Sequence, residues 1–288
     1  MITYKEFCEI LNRHIFEEEK KELLQKISEY PERFIGLFRP SKPETKILQN
    51  ILQSHEIRFG DALEELIEII LKDLGYSILS KRIEKDNGEV LVLDQFFTDG
   101  KDYFFIEQKI RDDHDSSKKR GQINNFEAKL EELFKRYNGK VIGIMYFIDP
   151  DLTKNKNFYS YELKRLEDYY KVHLYLFYGK ELFDFLKQGY YWDKIVEWLI
   201  QWKKSLPEIP DINFDANPEK TFEEIKNLEI KHWRKILENE KLWEEGIIKV
   251  IFKSGDTLRL ILNYFQNNKL APYQKLYSLL KDKLDKYY

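Results

Sequence analysis

Leu91-Val-Leu-Asp-Gln-Phe-Phe-Thr-Asp-Gly-Lys-Asp-Tyr-Phe-Phe-Ile-Glu-Gln-Lys109 is the stretch on which the fold turns. Two runs rich in aromatic and β-branched residues flank Asp99-Gly100, a turn dipeptide, so the segment predicts a β-hairpin. Folded about the Gly100–Lys101 bond, the hairpin sets Asp94 opposite Glu107. Strand alternation puts Glu107 and Lys109 on one face and Gln108 on the other. Three charged groups then converge within an otherwise apolar sheet. Burying charge is costly unless the groups pair or bind a metal. A cross-strand ion pair on a solvated face would explain them blandly. The flanking residues are too apolar for an exposed strand.

Working outward, the periodicity changes on both sides. Upstream, residues 2 to 38 carry apolar residues at helical spacing (Phe7, Ile10, Leu11, then Leu23, Leu24, Ile27) and predict short amphipathic helices. Arg39-Pro-Ser-Lys-Pro43 interrupts them. A helix holding Ile47, Leu48, Ile51 and Leu52 follows, and a second runs from about Phe59 to Leu74, stopped by Gly75. Strands are expected at Tyr76-Ser-Ile-Leu-Ser80, from Glu89 to Phe97, and from Tyr103 to Ile110. Downstream, residues 111 to 121 read as a polar loop and 122 to 137 as a helix. Lys140 to Pro150 is a buried strand, 159 to 170 a helix, Val172 to Tyr178 a strand, and Lys180 to Lys187 a helix. That order predicts an α/β sandwich.

From Tyr190 the pattern is helical, with segments at Trp192 to Lys203, Phe222 to Asn239, Lys241 to Phe252 and Asp256 onward. Ser205 to Pro218 is a proline-rich connector. The expected organisation is a helical segment over 1–54, a catalytic core over 55–204 and a helical region over 205–288. Trp198, Trp202, Trp233 and Trp243 sit in apolar helical stripes and read as core.

Composition narrows the classes. Charged residues at 34% and hydrophobic residues at 42% are globular values. No apolar run reaches the roughly 20 residues that span a bilayer. The first residues lack a signal-peptide core, so a cytoplasmic location is expected. The single cysteine, Cys8, excludes an internal disulfide and a cysteine zinc cluster, so any metal falls to carboxylates. A net charge of −3 announces no global attraction to nucleic acid, but an enzyme needs only a local basic surface.

Hydrolysing a phosphodiester requires a hydroxide and relief of developing negative charge. Asp94, Glu107 and the backbone carbonyl of Gln108 are candidate ligands for one or two Mg²⁺, a hard cation that prefers oxygen. Lys109 could orient the water and neutralise phosphate charge. Asp94, a hairpin, then Glu107-Gln108-Lys109 resembles the PD-(D/E)XK nuclease signature, with Leu93 where the motif proline stands. Gly60-Asp-Ala-Leu-Glu-Glu-Leu-Ile-Glu-Ile-Ile-Leu-Lys-Asp-Leu-Gly-Tyr76 resembles the helix preceding that hairpin in such enzymes. The resemblance covers about residues 56 to 185. It implies a restriction-endonuclease-like α/β core, a mixed central sheet flanked by helices, with helical N- and C-terminal additions. It makes Glu64 a fourth catalytic member at a metal-water shell, or Glu65 if the register slips by one.

The loop after the catalytic strand faces DNA in that fold. The resemblance therefore assigns Arg111, Lys118, Lys119, Arg120 and Gln122 to DNA contact, with Gly121 permitting close backbone approach. Arg39, Lys42 and Arg58 are further candidates for the DNA backbone. Asp112, Asp113, His114 and Asp115 read as charges balancing the loop, Asp115 as a helix cap. Asp256 reads as a cap. His14, His55, His173 and His232 show no ligand spacing.

Chain length, and the lack of helicase, P-loop and methyltransferase motifs, favour a type II restriction endonuclease. Such an enzyme cuts double-stranded DNA with Mg²⁺ and leaves 5′-phosphates. It acts as a homodimer and has a cognate DNA methyltransferase as genetic partner. A structure-specific or repair nuclease of the same fold is the alternative, and a non-catalytic DNA-binding or helical scaffold protein is the alternative of another class.

Overall fold

The computed structural model describes residues 2–36, 38, 40–85, 87–137 and 140–288. Arg39 therefore lies outside the described residues. Helices α1 (Tyr4–Phe16), α2 (Glu19–Glu29) and α3 (Pro43–Asp73) precede strands β1 (Ser77–Ile78), β2 (Arg82–Glu84), β3 (Val90–Val92), β4 (Gln95–Thr98) and β5 (Tyr103–Lys109). Then come α4 (Ser116–Arg136), β6 (Val141–Phe147), α5 (Lys156–Tyr170), β7 (His173–Tyr178), α6 (Glu181–Phe185) and α7 (Gly189–Lys203). The chain closes with α8 (Pro218–Ile225), α9 (Ile230–Glu238), α10 (Glu240–Glu244), α11 (Ile247–Ile251), α12 (Asp256–Asn267) and α13 (Ala271–Tyr287). Among the described residues, no helix is long and apolar enough to cross a membrane.

Two compact units form, each from two separated stretches: Met1–Leu11 with Phe59–Leu206, and Asn12–Arg58 with Pro207–Tyr288. The first unit holds a five-stranded mixed sheet in the order β1-β4-β5-β6-β7. β1, β4 and β5 pair antiparallel, and β5, β6 and β7 pair parallel. Parallel neighbours need crossover connections, and α4 and α5 supply them. These helices bury Phe126, Leu130, Leu133, Tyr159, Leu163 and Leu166 against Phe105, Met145 and Phe147 of the sheet. Gly143 permits this closeness, since a Cβ there would lie 2.9 Å from Phe126 Cζ and 2.8 Å from Phe105 Cε1. The arrangement is the mixed α/β sheet flanked by helices expected of a restriction-endonuclease-like core.

The hairpin has the expected register, with Gln95 opposite Ile106 and Phe96 opposite Phe105. Gly100 takes φ +90° at its turn, a conformation glycine adopts without strain. The single strand expected over 89–97 is instead divided. β3 leaves the main sheet to pair with β2 in a two-stranded ribbon, and the chain bends at Asp94 before β4 begins. The two helices expected between 47 and 74 are one continuous helix, α3.

The second unit packs helices around a core of Leu23, Leu24, Ile47, Trp233, Trp243, Ile261 and Leu280, among others. The long helices expected over 222–239, 241–252 and 256 onward are each broken in two. The cap of α12 comes from Asp215, not from Asp256. Its carboxylate accepts from the N–H groups of Ser254 (2.9 Å), Gly255 (2.7 Å) and Thr257 (2.9 Å). Three of the four tryptophans read as core are buried, and Trp198 is half-buried. Trp233 and Trp243 are buried, and in the first unit Trp202 is buried against Phe59, while Trp198 packs on Phe7.

Candidate active site

The break between β3 and β4 creates the site. Leu93 N–H donates to Lys81 O (2.9 Å), holding the chain to the ribbon for one more residue. Asp94, freed from strand pairing, turns its carboxylate toward β5, where Oδ2 accepts the Gln108 N–H at 2.7 Å. Lys109 projects from the same end of β5. Its ammonium donates to Asp94 Oδ2 (3.1 Å) and the Gln108 carbonyl (2.8 Å), and pairs with Glu107 Oε1 (2.8 Å). Three oxygens thus converge on one cation.

Glu107 is 2% exposed and its two oxygens are engaged separately. Oε1 takes Lys109 and the amide of Asn125 (3.2 Å). Oε2 takes the ammonium of Lys129, itself 4% exposed, from α4. Burial pushes the Glu107 carboxyl up, but Lys109 and Lys129 outweigh it and hold the group below the usual carboxylate range. Burial works to lower Lys109, and Glu107 and Asp94 more than compensate, so it stays above the ordinary lysine value. A buried ion network persists only when its members are mutually satisfied, and this one is.

Asp94, Glu107 and the Gln108 carbonyl suit a hard divalent ion. All three present oxygen, and their shared focus already accommodates a positive charge, the Lys109 ammonium. The set comprises two side-chain carboxylates and a backbone oxygen. Among the described residues there is no cluster of three or more His, Cys, Asp or Glu side chains that could hold a metal.

Glu64 lies on α3 beside β4, its backbone carbonyl accepting from Gln95 Nε2 at 2.7 Å. Its carboxylate is held by Lys81 (2.8 Å), which also pairs with Glu68 (2.9 Å). Burial raises the Glu64 carboxyl, Lys81 draws it down, and the charge of Asp94 adds to the rise. Glu64 therefore feels Asp94 electrostatically while its side chain engages Lys81.

Residues 111 to 121 depart most from expectation. α4 starts at Ser116, so Lys118, Lys119, Arg120 and Gln122 lie on its first two turns and not in a loop. Asp115 is the cap, accepting from Lys118 N at 2.9 Å. Lys118 and Arg120 are exposed. Lys119 lies 4.6 Å over the Phe158 ring, and Gln122 accepts a hydrogen bond from Tyr159. Arg111 stands 4.0 Å from Asp113. Asp112 balances no loop charge. It is fully buried, accepting from Asn155 N (2.8 Å), Asn155 Nδ2 (2.8 Å) and the Tyr178 hydroxyl (2.9 Å). In the second unit Arg58 is likewise spent internally, on the Ile15 carbonyl (2.9 Å) and on Glu22.

Sequence reasoning passed over Lys129, Asn125 and the burial of Asp112. A signal for Lys129 existed: it falls among Ile123, Phe126, Leu130 and Leu133, the apolar stripe of α4.

A family model described as HinfI, type II restriction endonuclease, matches residues 3–87 and 76–203. The matched stretches contain Glu64, Asp94, Glu107, Lys109 and Lys129. No curated protein matches the chain significantly. Over most of its length, and across the whole of this site, the chain belongs to the HinfI family of type II restriction endonucleases, which are site-specific deoxyribonucleases acting on double-stranded DNA.

Proposed function

We propose that this chain hydrolyses DNA phosphodiester bonds in a Mg²⁺-dependent reaction, cutting a symmetric site as a homodimer and leaving 5′-phosphates. The observation that carries the proposal is the focus of Asp94 Oδ2, Glu107 Oε1 and the Gln108 carbonyl on a single cation position. These oxygens would hold the metal. A bound divalent ion lowers the pKa of its water and neutralises charge developing on phosphorus.

The chain's own groups do the rest. Asp94 is fixed by the Gln108 N–H, so its carboxylate needs no reorganisation on binding. Lys109, released from the three oxygens, supplies hydrogen-bond donors to a phosphate oxygen and the attacking water. As the water attacks and gives up a proton to solvent, a P–O bond forms and the P–O3′ bond breaks, and the 3′ oxygen takes a proton from solvent and leaves as a hydroxyl. Glu64 is the proposed fourth member, reaching the site through water once Lys81 moves. Arg111, Lys118, Lys119 and Arg120 contact phosphates near the start of α4, and Gln122 contacts a base or the site. A DNA methyltransferase of matching specificity would protect the host.

Incubation with phage DNA and Mg²⁺ tests the proposal. Discrete fragments with 5′-phosphate ends are expected, and none with EDTA. Intact DNA across temperatures, salts and metals would refute it.

A further inference from the structure

Lys129 has no part in the reaction just described, yet it occupies the most buried cationic position at the site. It is 4% exposed and contacts Glu107 Oε2, the oxygen facing away from Lys109. It projects from the middle of α4, held among Phe126, Leu130 and Leu133, which are buried without residual exposure. Lys109, by contrast, keeps 30% of its side chain exposed and stands at a strand end. Lys129 is enclosed by the core, and Lys109 stands partly open to solvent.

We propose that Lys129 is a positioning residue, the permanent counter-ion of Glu107, which aims Oε1 at the metal position and keeps the DNA-free site electrically neutral. The inference rests on the metal-centre reading above. Two carboxylates, Asp94 and Glu107, face two ammoniums, Lys109 and Lys129. Lys109 would have to give way to a divalent ion held by these oxygens, while the charge of Lys129 would remain beside it. Lys129 would thereby weaken affinity for metal alone, and the negative charge of a DNA phosphate would offset that effect. With Oε2 held by Lys129, Glu107 would offer a metal its Oε1 alone.

The two roles predict opposite effects of removing Lys129. In Lys129→Met and Lys129→Gln, Mn²⁺ binding without DNA, followed by electron paramagnetic resonance, tightens about tenfold or more, the scale at which one nearby charge acts. Turnover falls on the order of a hundredfold with KM little changed, because Oε1 is no longer aimed. Lys129→Arg keeps the charge and retains near wild-type Mn²⁺ affinity. A merely structural lysine would weaken metal binding and turnover together. Unchanged or weaker Mn²⁺ binding in the Gln variant, with folding verified by circular dichroism, overturns the inference. Mn²⁺ binding that survives Asp94→Asn overturns the metal-centre reading beneath it.

Discussion

Replacing Asp112 with alanine measures how strongly the end of the catalytic strand is anchored. The carboxylate accepts three hydrogen bonds, two from Asn155 and one from Tyr178, and all these groups are buried. Alanine removes the acceptor and leaves the donors. Asn155 Nδ2 retains the His114 carbonyl at 3.1 Å, so two donors lose their acceptor, Asn155 N–H and the Tyr178 hydroxyl. Each orphaned buried donor costs about 1–3 kcal/mol, and relief of the carboxylate's own desolvation offsets part of the loss. A net destabilisation of about 3 kcal/mol is expected, which at this chain size lowers the melting temperature by roughly 6–12 °C. Tyr178→Phe removes a donor instead of stranding one and costs about 1 kcal/mol. The double variant should therefore melt higher than the sum of the single effects predicts, by about 1 kcal/mol of coupling. Circular dichroism melts of the four proteins give the cycle. An Asp112→Ala melting temperature within about 2 °C of wild type, or strict additivity with Tyr178→Phe, would refute the anchoring role.

Other expectations follow from single sites. Lys109→Met should lower kcat on the order of 10²- to 10³-fold, measured in single-turnover cleavage, as loss of one preorganised donor does. Gly143→Leu should destabilise by 3 kcal/mol or so, seen in urea unfolding, because its side chain would intrude on Phe126, Phe105 and Leu174. Asp215→Asn should lower the melting temperature at pH 7. Burial raises the Asp215 carboxyl, but hydrogen bonds from Thr257, Gly255 and Ser254 hold it below its ordinary value. Its stabilisation is present above the unfolded carboxylate pKa of about 4 and is lost as pH falls through the folded value. The gap between wild type and variant should thus narrow below about pH 4, and a gap independent of pH would contradict this cause.

The hairpin was legible in the sequence because its information is local. A turn dipeptide and alternation set the register that pairs Gln95 with Ile106, and Lys109 and Glu107 then share a face. The division of the strand at Leu93 and Asp94 was not legible. It depends on β2, whose polar–apolar–polar alternation spans only three residues, too few to mark a strand. Ser116 to Gly121 lacks apolar periodicity and reads as loop, yet it is helical because Asp115 caps it and α4 continues into a buried stripe. Asp112 and Lys129 share a different difficulty. Their partners are distant in sequence, Asn155 and Tyr178 for one and Glu107 for the other. Asp112 therefore looks like part of a solvated loop, and the apolar stripe around Lys129 signals burial without naming its partner. The break between α12 and α13 is marked by Asn267-Asn268 and by Pro272 at the start of α13, whereas neither proline nor glycine marks the one between α8 and α9.

In the proposed enzyme Asp94, with Glu107 and Lys109, forms the metal-dependent cleavage centre while other surfaces read the DNA. Asp94→Ala tests it most directly when cleavage with Mg²⁺ and specific DNA binding without metal are measured on the same preparation. Cleavage should fall by about 10³-fold or more while metal-free binding stays within a few-fold of wild type. Cleavage within tenfold of wild type, or loss of metal-free binding by a folded variant, would contradict it.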